Sequence, residues 1–187
     1  MKKIPNLFAR DDKGNLTTTI NPLAQWVVDG EGYATRKWDG TACMLRGGVI
    51  YKRYDCKRGK TPPAGFEPCQ EHDAVTGHWP GWVPVGEGPE DRWLREARGT
   101  YDLPDGTYEA CGPKINGNPE GLPTHGLIRH GAERLGPVPR DWIGLIGHLT
   151  PLDIEGIVWH HPDGRMVKVR KHDLGLKRKP ERVGQES

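Results

Sequence analysis

Lys37, in Thr35-Arg36-Lys37-Trp38-Asp39-Gly40, is well placed to act as a nucleophile. Tyr33-Ala34-Thr35 reads as the end of one strand, and Thr41-Ala42-Cys43-Met44-Leu45 as the next. Asp39-Gly40 between them is a dipeptide of the kind that joins antiparallel strands by a tight turn. The sheet would fix the direction of the lysine while the turn keeps its tip accessible. A lysine near neutral pH is almost wholly protonated, so a nucleophilic one needs neighbours that favour the free amine.

Four more charged groups lie on apolar strands. Glu109 stands in Tyr108-Glu109-Ala110, and Glu155 in Ile154-Glu155-Gly156-Ile157-Val158. Lys168 and Arg170 alternate with Val167 and Val169, which puts both cations on one face of a strand and both valines on the other. Burying such a charge is unfavourable unless it is paired or faces a cleft. Each group separately fits the wet face of a half-buried sheet. Their order along the chain fits a cleft where two carboxylates and several cations meet a charged ligand. Tyr51 and Tyr54 interleave with Lys52, Arg53, Lys57, Arg58 and Lys60, a mix suited to phosphate contact and base stacking. Cys69 and His72 have metal-ligand spacing, but no second pair accompanies them.

The elements that must hold these groups are short. The chain has 187 residues, 34% of them hydrophobic, with 26 glycines and 17 prolines, a composition of many turns and strands rather than long helices. Hairpins are expected at Asp11–Asn15, Arg46–Val49 and His161–Gly164. Residues 61–90 read as an irregular Pro/Gly-rich insertion. Helices are expected at 90–97, 125–130 and 141–149. The expected fold class is α+β, with twisted, mostly antiparallel sheets. One domain would span 1–175, with a basic tail over 176–187. A net charge of +2 gives no bulk signal for nucleic acid, and no apolar run reaches membrane-spanning length. A soluble, cytoplasmic protein without a membrane or obligate protein partner is the expectation.

The sequence resembles the covalent nucleotidyltransferase superfamily of DNA ligases, RNA ligases and capping enzymes. Lys37-Trp38-Asp39-Gly40 is similar to its nucleophile motif, and Tyr108–Gly112, Ile154–Val158 and Met166–Arg170 are similar to its later motifs. Tyr51–Arg58, Gly81–Val85 and Gly112–Pro119 resemble small ATP-dependent RNA ligases that join 5′-phosphate to 3′-hydroxyl RNA ends. The resemblance implies a nucleotidyltransferase (adenylation) domain that forms lysyl-AMP on Lys37, with Lys168 as the second catalytic residue. It implies ATP contacts from Thr35, Arg36, Asp39, Gly40, Arg53, Glu109, Glu155, Lys168 and Arg170. It further implies Mg²⁺ (or Mn²⁺) at Glu155 and Asp39, and RNA contacts from Lys52, Arg53, Lys57, Arg58, Lys114 and Asn116. Arg36 replaces an acidic residue common before the nucleophile, which leaves adenine to backbone groups. About 17 residues follow Arg170, too few for the OB-fold of DNA ligases and capping enzymes. A GTP-using capping enzyme and a non-catalytic nucleotide or RNA-binding module are the alternatives.

Overall fold

The computed structural model describes residues 1–73 and 76–178. The part of the basic tail beyond residue 178 lies outside the described residues. The strands in chain order are β1 (Phe8–Arg10), β2 (Leu16–Ile20), β3 (Tyr33–Lys37), β4 (Thr41–Arg46), β5 (Val49–Cys56), β6 (Glu67–Pro68), β7 (Trp79–Pro84), β8 (Gly106–Cys111), β9 (Gly126–Arg129), β10 (Gly156–His160) and β11 (Met166–Arg170). The helices are α1 (Gln25–Val28), α2 (Arg92–Arg98) and α3 (Trp142–Leu149). The pairings among these strands are antiparallel, and an isolated bridge from Asn6 to Lys168 is parallel.

The chain forms two compact units. Among the described residues, the terminal unit comprises Ile4–Trp38 and the chain from Gly131 to Arg178. It holds the β1–β2 hairpin and a three-stranded sheet in the order β11-β10-β3. Asp11 closes the hairpin by accepting from the amides of Lys13 and Asn15 at 3.0 and 2.8 Å. One face of the sheet carries Ala34, Ile157, Trp159, Val167 and Val169, all buried together with Leu7, Phe8, Val27, Leu145 and Leu149. Leu145 and Leu149, four apart, give α3 its inward stripe, and Asp141 caps it by accepting from Gly144 N at 2.8 Å. Lys171 is also buried. Its ammonium donates to the carbonyls of Leu152 at 2.7 Å and Arg178 at 2.9 Å, so it staples the chain beyond α3.

The central unit comprises Met1–Lys3 and Asp39–His130. Its six-stranded sheet has the order β6-β7-β5-β4-β8-β9. Cys43, Leu45, Ile50, Tyr108 and Ala110 form a core with Leu94 and Ala97 of α2. The expected turn at Gly47-Gly48 joins β4 to β5, with both glycines at positive φ (56° and 78°).

Three expectations are corrected. Asp39-Gly40 does not close a hairpin: β3 pairs with β10, whereas β4 pairs with β5 and β8. Gly40 is needed for close approach instead, because a Cβ there would lie 2.1 Å from the Ala110 carbonyl oxygen. Residues 126–129 form a strand, not a helix, because Leu127 and Ile128 pair with Ala110 and Glu109 of β8. Part of the 61–90 stretch rejoins the sheet as β6 and β7. Pro80 in β7 has no amide to donate, but its carbonyl accepts from Cys69 N at 2.9 Å.

Gly40→Ala should therefore destabilise the protein by about 1–3 kcal/mol in urea titration. Gly126→Ala, where a Cβ meets nothing within 4 Å, should change stability by less than about 0.5 kcal/mol.

Candidate active site

The register of the three-stranded sheet puts Lys37, Gly156 and Arg170 in one row, and Thr35, Val158 and Lys168 in the next. Aligned partners in a sheet point to the same side, so Lys37, Lys168 and Arg170 share the face opposite the core. Gly156 sits in the middle of the cationic row. A Cβ there would lie 2.1 Å from the Val169 carbonyl oxygen, so no side chain fills the space between Lys37 and Arg170.

Lys37 Nζ forms an ion pair with Glu155 Oε2, and both side chains keep about a fifth of their surface open, 21% and 18%. Lys168, one row away, has its pKa pushed down to about 8. Burial is the first cause and the Lys37 ammonium the second, with Arg170 adding to the repulsion. Arg170 is aimed by Asp173, whose two oxygens accept from Nε and Nη2 at 2.9 and 2.8 Å. Asp173 also accepts from Asn6 Nδ2 at 2.8 Å and pairs with Arg10 at 3.3 Å. These cations hold that carboxyl below its usual pKa range.

Thr35 is buried on the same face, its hydroxyl 3.2 Å from the Val158 carbonyl and 2.9 Å from His160 Nε2. His160 stacks on Tyr33 at 5.3 Å, and Arg134 lies 3.9 Å over the Tyr33 ring. Arg36 lies over the Trp38 ring at 3.9 Å and reaches Glu133 at 3.7 Å. The face thus grades from three cations, two of them paired with the carboxylates Glu155 and Asp173, to an aromatic end. Such a face suits a ligand with an anionic head.

The central unit holds the other expected residues. Three side chains, Glu120, Glu109 and Asn116, grip the turn that follows Lys37 and Trp38. Glu120 accepts from Asp39 N at 2.8 Å, and Glu109 Oε1 accepts from Gly40 N at 3.1 Å. The other Glu109 oxygen lies 2.8 Å from His130 Nε2, and Asn116 Nδ2 donates to the Asp39 carboxylate. Asn116 and Asn118 are the two non-glycine residues at positive φ (49° and 54°) among the described residues, and both lie in this gripping loop. Lys114 anchors the same loop by donating its amide to His125 Nε2 at 3.0 Å.

The proposed RNA-contacting strand is engaged differently. Lys52 pairs with the buried Asp91, and Arg53 donates to the Met1 carbonyl and to Cys69 Sγ at 3.3 Å. Lys57 and Arg58 are exposed beyond β5. Sequence reasoning missed His130, Glu120, Asp173, Asp91 and His160. Reading residues 126–129 as a strand beside Glu109 would have exposed His130; the others carry no local signal.

This is an α+β protein with a carboxylate-paired, strand-end lysine on a cationic sheet face. Residues 96–183, a span that includes Glu109, Glu155, Lys168 and Arg170, match a family model described as RNA ligase 1. The chain is 36% identical over 160 residues to RNA ligase 1 of Pongo abelii, covering 63% of this chain and 49% of the relative. It is 34% identical over 135 residues to RNA ligase 1 of Mus musculus (54% and 41%) and 30% over 136 residues to that of Danio rerio (54% and 42%). Over these spans the chain is similar to RNA ligase 1. The chain spans half or less of the length of these curated relatives. No helix among the described residues is long and apolar enough to cross a membrane.

The depressed pKa of Lys168 has a defined consequence for stability. Between its folded value of about 8 and its unfolded value of 10.5, the unfolded chain binds the extra proton. Unfolding free energy should rise with pH through that window and be lowest below it. Lys168→Met should remove this slope and raise stability at pH 7 by roughly 1–3 kcal/mol, as read by urea titration from pH 7 to 10.

Proposed function

We propose that the chain is an ATP-dependent RNA ligase domain that takes AMP onto Lys37. The observation that carries this reading is the Lys37–Glu155 ion pair beside the desolvated Lys168. Lys37 and Arg170 each have a carboxylate partner, but Lys168 beside them is disfavoured as an ammonium by burial and by both cations, and an incoming phosphate relieves that repulsion. The proposed fold is the adenylation fold of covalent nucleotidyltransferases.

The amine of Lys37 must shed a proton before it attacks. Glu155 Oε2 accepts a hydrogen bond from that ammonium and is its proposed proton acceptor. A nitrogen–phosphorus bond then forms at the α-phosphate, and the bond to pyrophosphate breaks. Lys168 and Arg170, on the same face, would stabilise the charge on the phosphate oxygens during transfer. The donor set also fits a divalent cation, because Mg²⁺ commonly takes one or two carboxylates together with substrate phosphates. Glu155 is the residue proposed to hold it, and when bound it would supply further charge neutralisation. AMP would next pass to an RNA 5′-phosphate, and an RNA 3′-hydroxyl would displace it to form the phosphodiester.

In the central unit, Glu109, Asn116 and Glu120 are proposed to keep the Asp39-Gly40 turn in one conformation. His130 orients Glu109 for that task. The Asp39 carboxylate and the Arg53 guanidinium already have protein partners there, so their proposed role is to hold structure rather than ligand.

Incubation with α-labelled ATP and Mg²⁺ should leave a label on the protein that survives denaturing gels. Lys37→Ala should abolish it, and a label that persists would identify another nucleophile. Labelling from GTP alone would redirect the assignment to a capping enzyme. Above about pH 8, ATP binding should take up a proton at Lys168, so ATP affinity should fall as pH rises beyond that value. Offered 5′-phosphate RNA and DNA in parallel, the protein should seal RNA; sealing of DNA alone would refute the substrate assignment.

A further inference from the structure

We infer that the central unit carries a cradle for single-stranded RNA, formed by Lys2, Lys3 and the segment from Pro68 to His72. A cleft of about 710 Å³ opens there, lined by these residues. That lies within the range of about 300–1,000 Å³ typical of ligand sites. Its walls are tied together. Gln70 accepts from Lys3 N at 2.9 Å through its side chain and from Trp79 Nε1 at 2.9 Å through its carbonyl.

The cleft combines an aromatic platform with cations. His72 is exposed and stacks on Trp79 at 4.2 Å and 25°, so one ring face is backed and the residue meets solvent. Phe66 buttresses Trp79 from the side at 5.2 Å, and Tyr54 buttresses Phe66 at 6.1 Å. A base added to this series would gain a stacking partner that is already held in place.

Lys2 and Lys3 are exposed at the same cleft. Glu71 is the acid on the lining, and Asp73 lies 4.0 Å from Lys3 Nζ, a separation at which an exposed pair is weak. Either lysine can therefore turn to a phosphate. Lys57, Arg58 and Lys60 extend the basic surface, and Arg58 runs alongside Gly77, two residues from Trp79. Backbone-tracking cations beside a sequence-tolerant stacking surface are the chemistry of single-strand binding. This placement differs from the sequence expectation, since Lys52 and Arg53 are committed to protein partners.

The identity of the strand as RNA rests on the ligase reading, so the two are tested by separate readouts. Nucleotide labelling of the unaltered protein reports on Lys37. Binding in the cradle is measured by fluorescence anisotropy in the Lys37→Ala background, with an oligouridylate of about 12 nucleotides. His72→Ala should weaken binding about 5- to 100-fold, and His72→Tyr should restore most of it. Lys2→Gln with Lys3→Gln should lower the slope of log affinity against log salt by about 1.4. Circular dichroism confirms that each variant is folded. Unchanged affinity and salt slope in these folded variants would overturn the cradle, as would absent binding or equal affinity for blunt duplex RNA.

Discussion

The antiparallel register of β3, β10 and β11 is the constraint from which the terminal unit takes its chemistry. It stacks Lys37 and Lys168 in adjacent rows and places Arg170 across Gly156 from Lys37. A slip of one residue would send every one of these cations into the core and bring valines to the surface. Val167, Val169, Ile157 and Trp159 on the opposite face forbid that slip, because all four are fully buried. Apolar burial on one face therefore holds a repulsive arrangement on the other. The repulsion shows in Lys168, whose ammonium is disfavoured by burial and by Lys37. One carboxylate, Glu155, offsets part of it at Lys37, and Asp173 does the same at Arg170.

The central unit solves a different problem with similar means. The Asp39-Gly40 turn has backbone donors and a carboxylate that need partners, and no hairpin supplies them. Glu109, Glu120 and Asn116 supply them from three places in the chain. Ile115 of the loop is buried, and Asn116 and Asn118 take a left-handed backbone that asparagine tolerates better than most residues. Glu109 shows why a carboxylate on an apolar strand need not be a surface charge. It is almost buried, yet both oxygens are occupied, one by an amide and one by an imidazole. Charge-assisted hydrogen bonds of this kind are stronger than neutral ones, so the turn is fixed more firmly than its length suggests.

The local periodicities of the chain were enough to establish β11, the hairpins at Gly47-Gly48 and His161–Gly164, the helices at Arg92–Arg98 and Trp142–Leu149, and the shared face of Lys168 and Arg170. Each of those features depends on contacts within a few residues, which alternation, turn dipeptides and caps encode directly. The tertiary fold decided which strands became neighbours. Lys37 met Glu155 across 118 positions of sequence, Arg10 met Asp173 across 163, and Lys52 met Asp91 across 39. It also turned Gly126–Arg129 from a plausible helix into a strand, because β8 offered it a ladder of partners. Pairings at such separations are selected by how whole faces bury together, and no short stretch of residues contains that information.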